Sequence, residues 1–221
     1  MNKKWLATLV FAVAMLSLLP TFAPDKALAA EKFSFKASSL GGDAVWTTCP
    51  DGPSVGDTCT DTFVFAAEQV TREGKTKSAS EGLFLDQFSY TVDGDGNFVF
   101  LGSRFGFDEN AEFSMSKPTN KLQSASASAD VPVIECDEDF LCEDGGSVVH
   151  VEVDWIGEGS ISKNKSHFHS ISDGVKFHFS GKGSFRAASA TGEVDGDDTG
   201  SILFADLFNA KEASMTICHD C

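Results

Sequence analysis

Tyrosine and basic residues are scarce in this chain of 221 residues. It has one tyrosine, three tryptophans, and 17 lysines and arginines against 33 aspartates and glutamates, so its formal net charge is −16. Binding to nucleic acid or to anionic membranes depends on clustered lysine and arginine, and a surface this acidic repels phosphate. We therefore expect no nucleic-acid partner. Carbohydrate-binding modules usually present tyrosine or tryptophan platforms, so the scarcity of both residues counts against that class too.

The common motifs of hydrolytic catalysis are also missing. The sequence has no G-x-S-x-G nucleophile elbow and no H-E-x-x-H zinc helix. The segment Asp93–Asn97 begins like a calcium loop, but Phe98 stands where a glycine is needed and Arg104 where a bidentate glutamate belongs. We interpret this segment as a hairpin turn. Weak calcium binding there, or at the acidic loops 137–144 and 195–198, is the alternative.

Long apolar runs are absent except at the N-terminus, where the chain has the three parts of a secretory signal peptide. Lys3 and Lys4 form the positive region, Trp5–Leu19 the apolar region, and Ala27-Leu28-Ala29 a cleavage site of the A-x-A type. A retained membrane anchor is the alternative, but this run is shorter than the roughly 20 residues that span a bilayer. We expect cleavage after Ala29 and no stable membrane insertion.

The remaining segment, 30–221, has a length typical of a single domain. Without the first 29 residues the chain keeps 14 basic and 32 acidic residues, a net charge of about −18. Such a charge keeps a protein soluble outside the cell. We therefore predict a secreted, extracellular protein with one acidic domain. Its twenty phenylalanines, nearly all in this segment, are ample for a core of that size.

All six cysteines lie in the segment that we predict to be exported. An even number of cysteines in an exported chain indicates disulfides. Their spacing suggests the pairs Cys49–Cys59, Cys136–Cys142 and Cys218–Cys221, although six cysteines allow 15 connectivities. The last pair has C-x-x-C spacing, so a redox dithiol and half of a metal site are alternatives to a structural disulfide.

Alternating hydrophobic segments predict β-strands throughout the chain, bounded by glycine, aspartate, asparagine or proline. Val148–Ile156 is the clearest, because its valines and Trp155 alternate with His150, Glu152 and Asp154. We predict an all-β, antiparallel domain of roughly 10–12 strands, either a β-sandwich or a closed β-barrel. A short helix around Leu203–Lys211 is an alternative to a strand there.

Two of these strand patterns resemble a pattern found in small secreted prokaryotic all-β proteins of unknown function. In that group a strand like VDVTWTGTG, here Val151–Gly159, precedes a strand like R-x-A-x-A-T-G-x-V, here within Phe185–Val194. The cysteine pair before Thr60 and the loop Cys136–Cys142 also fit the group. The resemblance implies an exported β-domain, and it brings no activity and no site residues.

Three histidines form the most specific candidate site. Asp173-Gly174 is a preferred two-residue hairpin turn, and counting outward from it pairs His169 with His178. Because side chains alternate along a strand, His167, His169 and His178 then share one face, and Phe168, Phe177 and Phe179 share the other, core-facing side. Three neighbouring imidazoles could bind Zn²⁺ or Cu²⁺. The alternative is a solvated outer face that happens to carry histidines.

Three functions follow from these observations. The leading hypothesis is a non-enzymatic, secreted β-domain that acts in binding or at the cell envelope. The second is a metal-dependent extracellular enzyme built on the histidine hairpin, and the third is a structural protein stabilised by Ca²⁺. His150, Glu152 and Asp154 could imitate acid–base groups, but polar residues that alternate with valine are ordinary on an outer sheet face.

Overall fold

A computed structural model describes residues 32–73, 75–172 and 175–219 of the chain. Apart from one short 3-10 helix, the regular structure of these residues is β-strand. The strands are β1 (Lys32–Thr47), β2 (Thr58–Glu73), β3 (Thr76–Val92), β4 (Phe98–Asp108), β5 (Glu112–Met115), β6 (Ser124–Cys136), β7 (Cys142–Gly157), β8 (Ser162–Ser172), β9 (Val175–Val194), β10 (Asp197–Asp198) and β11 (Ser201–His219). The predicted all-β class and strand number are confirmed, and Leu203–Lys211 is strand, not helix.

The strand pairing closes into a ring. Each of β1, β2, β3, β4, β6, β7, β9 and β11 pairs with the next in this order, all antiparallel, and β11 returns to β1. The other described strands attach to this ring: β5 pairs with β6, while β8 and β10 pair with β9. A strand inside the ring is paired on both sides, so it offers no free edge along the paired residues.

Several strands are longer than the sequence patterns predict. The alternation of the sequence predicts two strands here, Lys32–Ala37 and Ala44–Thr47. In the structure they are one strand, β1, which runs through Gly41 and Gly42. These glycines make room for neighbours and do not mark a turn. A Cβ atom on Gly41 would lie 2.4 Å from a backbone oxygen of β2, and one on Gly42 would lie 3.0 Å from the Trp155 ring.

Small residues and two tryptophans fill the inside of the ring. Trp46 and Trp155 are almost fully buried, and their indole N–H groups donate to the backbone oxygens of Ala190 (3.3 Å) and Asp43 (3.1 Å). Around them pack alanine, valine and leucine side chains of β1, β2, β3, β6, β7, β9 and β11. A ring of eight strands leaves an interior just wide enough for side chains, so two tryptophans use much of it.

The core therefore differs from the phenylalanine core that composition suggests. Among the phenylalanines whose side chains the structure describes, only Phe113 and Phe208 are buried. Phe140 lies in the turn between β6 and β7, and the others fall at outward-facing positions of the strands, where the alternation of side chains places them. Phenylalanine thus lies mainly on the outer face of the ring, while alanine, valine and leucine, with Phe113, form the buried core.

The alternation predicted for Val148–Ile156 is confirmed in β7. Val149, Val151, Val153 and Trp155 are at most 3% exposed, whereas His150, Glu152 and Asp154 are exposed. No helix among residues 32–73, 75–172 and 175–219 is long and apolar enough to cross a membrane.

Two of the predicted disulfides are present. Cys49–Cys59 joins the end of β1 to β2 across 5.6 Å between Cα atoms, and Cys136–Cys142 joins β6 to β7 across 4.0 Å. Cys221 and the side chain of Cys218 lie outside the described part of the chain, so the third pair stays a prediction.

Gly106 provides a test of the contact between β4 and β6. It pairs with Val133, and a Cβ atom on it would lie 2.1 Å from the backbone oxygen of Pro132. Because a backbone atom cannot move aside cheaply, we expect Gly106→Ala to lower the free energy of unfolding by about 1–3 kcal/mol, measured by urea denaturation.

Gly94→Ala is the matched control, because a Cβ atom there meets nothing within 4 Å. We expect it to change stability by less than about 0.5 kcal/mol. Equal urea midpoints for the two variants would contradict the close approach of β4 and β6.

Candidate functional site

Five aromatic side chains form a connected cluster on the outer face of the ring, which we call the aromatic cluster: Phe88, Tyr90, Phe98, Phe100 and Phe140. Phe88 lies 5.8 Å from Tyr90 and 5.0 Å from Phe100, measured between ring centroids. Tyr90 contacts Phe98 edge-on at 5.5 Å, and Phe100 stacks on Phe140 at 4.2 Å with the rings 7° from parallel. Such pairs add to the stability that burial alone gives.

A β-bulge in β4 turns two of these rings outward. The register between β3 and β4 shifts between Ser89 and Tyr90, so Tyr90 pairs with Phe100 while Ser89 pairs with Gly102. Leu101 is the extra residue, and it reverses the alternation of side chains along β4. Phe98 and Phe100 therefore point outward, although Arg104, which is also an even number of residues away, points inward. A Cβ atom at Gly102 would lie 2.9 Å from the backbone oxygen of Cys136, so the bulge also needs a glycine.

A disulfide-closed turn presents the fifth ring. Between Cys136 and Cys142 the Asp137 carboxylate accepts backbone N–H groups of Asp139 and Leu141, each at 3.0 Å. Phe140 has φ +59°, a left-handed conformation that is uncommon for a bulky residue. Strained residues persist where surrounding structure holds them, and they concentrate at functional sites.

Much of the cluster faces solvent. Phe98 is 69% exposed, Phe140 68% and Phe88 42%, and the neighbouring Leu141 is 66% exposed. A contiguous apolar patch of this kind is typical of an interaction surface. Sequence reasoning missed it, because phenylalanine in an alternating strand was assigned to the core.

Carboxylates lie on the turns and the strand next to the aromatic cluster. Asp95, Glu138 and Asp139 are exposed in the turns that carry Phe98 and Phe140. Asp61 lies opposite Phe88 on β2, and one of its carboxylate oxygens is buried without a hydrogen-bond partner among the described residues. Desolvation, and then the negative charge of Asp61, raise the pKa of Tyr90 above its ordinary value. The site thus combines apolar rings with negative charge.

The histidine hairpin has the predicted register. His169 pairs with His178, and Ser172 with Val175, on β8 and β9. The ring centroids of His167 and His178 are 4.8 Å apart, and those of His169 and His178 are 6.5 Å apart, so the three imidazoles do lie together. Within the described residues, no group of three or more His, Cys, Asp or Glu side chains is arranged to hold a metal ion.

Other parts of the histidine prediction lie outside what the structure describes. These are the turn residues Asp173 and Gly174 and the side chains of Phe168, Phe177 and Phe179. Binding of Zn²⁺ or Cu²⁺ by the hairpin stays a prediction at this point.

A second histidine site consists of His150 and two carboxylates, of which Asp130 was not indicated by the sequence. His150 contacts Asp130 of β6 through Nδ1 at 2.7 Å and Glu152 through Nε2 at 3.2 Å. Hydrogen bonds to Asp130 and then Glu152 raise the pKa of His150 above its ordinary value. Asp154, the third residue of the predicted face, is not among its partners. Knowing that β6 pairs with β7 would have identified Asp130, since Asp130 and His150 are directly opposite.

The acidic turns use their carboxylates internally. Asp93 accepts the backbone N–H groups of Asn97 (2.8 Å) and Asp95 (2.9 Å) and the side-chain amide of Asn97 (3.1 Å). The hydrogen bonds from Asn97, and then that from Asp95, lower the pKa of Asp93. Asp195 accepts the backbone N–H of His150 at 3.0 Å and contacts Arg104 at 3.2 Å. These contacts support the hairpin-turn interpretation of Asp93–Asn97. Calcium binding stays a prediction.

A polar pocket of about 550 Å³ is lined by residues of β2, β3, β4, β6, β9 and β10. Its lining includes Thr62, Gln87 and Arg104, which form a chain: Gln87 donates to the Thr62 hydroxyl at 2.8 Å, and Arg104 donates to the Gln87 side-chain oxygen. Arg104 is thereby held between Gln87 and Asp195, so its charge is already engaged.

No protein-family model, curated protein or solved structure matches the chain. The resemblance to small secreted β-proteins therefore stays a prediction. A function can therefore be inferred only from the geometry of the aromatic cluster, the histidine hairpin and the acidic turns.

The carboxyl group of Asp43, on the outer face of the ring, makes the stability of the fold depend on pH. It lies on β1 opposite Asp206 of β11 and Phe65 of β2. Burial, and then repulsion from Asp206, raise its pKa from 3.8 to about 7. Because the folded state binds this proton more tightly than the unfolded chain, its contribution to stability is full below pH 3.8 and is lost as the pH rises to about 7.

We therefore expect Asp43→Asn to be more stable than the wild type at pH 8, by as much as about 4 kcal/mol, with the difference vanishing toward pH 4. Urea unfolding at a series of pH values measures this. Asp95→Asn is the matched control for the loss of one charge, because it makes the same change on an exposed turn. Parallel curves for Asp43→Asn and the wild type would contradict the burial of a proton-binding carboxyl group.

Proposed function

We propose that this protein is an exported, non-enzymatic binding domain that recognises a basic, apolar segment of a partner protein through the aromatic cluster. The observation that carries the proposal is the exposure of Phe98 and Phe140 on a rigid support. One sits beside a β-bulge, and the other on a disulfide-closed turn in a left-handed conformation.

The rigidity of these side chains favours binding. Ordering flexible side chains opposes association, by about 0.5–1.5 kcal/mol for each one immobilised. Phe140 is already stacked on Phe100, and Phe98 is already in contact with Tyr90. Aromatic anchors that need no further ordering are typical of the residues that contribute most to binding energy.

Charge indicates what kind of partner fits. The turns that carry the rings also carry the exposed carboxylates Asp95, Glu138 and Asp139. A lysine or arginine side chain of a partner is attracted by these exposed carboxylates, and a cation also interacts favourably with aromatic faces. A partner segment with apolar and basic side chains therefore fits this surface best.

A second copy of the chain fits less well. In a symmetric dimer the same patch meets itself, so the acidic borders of two clusters would be brought together. Like charges in an interface oppose binding, and the net charge of −16 adds to that repulsion. The same argument disfavours anionic lipid and nucleic acid.

Export of the domain is supported by two observations. The N-terminal sequence has the pattern of a secretory signal, and the two disulfides, Cys49–Cys59 and Cys136–Cys142, are of a kind that persists in oxidising surroundings. The partner would accordingly be an extracellular or envelope protein.

The proposal is tested with a seven-residue peptide that alternates lysine with leucine and phenylalanine, titrated into the protein by calorimetry. We expect saturable binding that weakens about tenfold or more in Phe98→Ser and in Phe140→Ser, because each change removes an exposed anchor. Ile156→Ser is the matched control, since Ile156 is 63% exposed on β7, outside the cluster.

A peptide with glutamate in place of lysine tests the charge argument, and we expect it not to bind. Equal affinity for the two peptides, or binding that Ile156→Ser weakens as much as Phe140→Ser does, would contradict the proposed site. Sedimentation of the free protein as a dimer that Phe98→Ser dissociates would instead assign the cluster to self-association.

A further inference from the structure

The hairpin of β8 and β9 carries a basic and imidazole-rich face on an otherwise acidic protein. His167 and His169 of β8 are exposed, and His178 of β9 is half-buried beside them. Lys165 and Lys182 pair with one another further along the same two strands, on the same face. This face is independent of the aromatic cluster, and the binding function proposed above does not use it.

The separation of two imidazole rings can be compared with that required by a shared metal ion. A metal–nitrogen bond of about 2.0–2.1 Å places each ring centroid about 3.2 Å from the metal. For bond angles of about 90–109°, two centroids are then about 4.5–5.2 Å apart. The centroids of His167 and His178 are 4.8 Å apart, within this range.

The third histidine stands further away. The centroids of His169 and His178 are 6.5 Å apart, which exceeds the separation for neighbouring ligands of one ion. His169 follows His167 by two residues on the same strand face, so a rotation of its exposed side chain can bring it to the same ion. The centroid separation of His167 and His178 is thus compatible with one shared ion, whereas that of His169 and His178 requires the His169 side chain to move.

We propose that His167 and His178 form a binding site for a divalent transition-metal ion, Cu²⁺ in preference to Zn²⁺, with His169 as an auxiliary ligand. Nitrogen ligands bind Cu²⁺ more strongly than Zn²⁺ in the general order of metal affinities. Two imidazoles leave the other coordination positions to water.

The neighbouring lysines set the selectivity of the site. Positive charges at Lys165 and Lys182 oppose any cation, so an ion held only by electrostatic attraction, such as Ca²⁺, gains little there. An ion that bonds strongly to neutral imidazole nitrogen can bind despite them. The site is therefore expected to bind Cu²⁺ and not Ca²⁺.

Calorimetric titration of the oxidised, exported form of the chain with Cu²⁺ tests the proposal. We expect one ion per chain, and a dissociation constant at least tenfold higher in His167→Ala and in His178→Ala. His169→Ala should weaken binding less than either. His150→Ala is the matched control, because His150 is an exposed histidine on β7 that is engaged by Asp130 and Glu152.

Electron paramagnetic resonance of the copper complex provides a second readout. We expect hyperfine splitting from two or three imidazole nitrogens in the wild type, and one fewer in His167→Ala. Thermal unfolding of each variant, matched to the wild type, shows that the fold is kept.

Any one of the following results would overturn the proposal. They are no binding at 100 µM Cu²⁺, an equal loss of affinity in His150→Ala and His167→Ala, and a larger loss in His169→Ala than in His178→Ala. Binding of Ca²⁺ with similar affinity would also contradict the imidazole site.

Discussion

The pairing of β7 with β9 closes the ring of strands, and that closure decides which side chains the domain can bury. The inside of a ring of eight strands is just wide enough for the side chains that point into it. Trp46 and Trp155 occupy much of it, and Gly42 and Gly192 lie against their rings. The inside is thereby filled by alanine, valine and leucine, the two indoles and Phe113, and most of the described phenylalanines are left for the outside.

An outer face rich in phenylalanine would invite aggregation unless its rings were held and its surroundings charged. Both conditions are met around Phe98 and Phe140. The bulge at Leu101 and the turn between Cys136 and Cys142 fix the rings, and the adjoining turns carry carboxylates. The carboxylates beside the cluster therefore oppose the approach of other anionic surfaces.

The features that the sequence predicted correctly depend on local patterns. The alternation of β7 shows in its own residues, and the pairing of His169 with His178 follows from a two-residue turn. The features that it missed depend on contacts between distant strands. The outward position of Phe98 requires a bulge matched to β3, and the Asp130–His150 contact requires β6 to lie beside β7. Neither can be derived from the spacing of residues along one strand.

Phe98 and Phe140 lie outside the ring, whereas Trp46 and Trp155 lie inside it. Nuclear magnetic resonance with a soluble gadolinium chelate measures this directly, because the chelate broadens signals from exposed protons. The ring protons of Phe98 and Phe140 should be strongly broadened, and the indole protons of Trp46 and Trp155 should be protected, as their burial requires. Protected rings of Phe98 and Phe140 together with broadened indole signals would contradict this placement of the aromatic side chains.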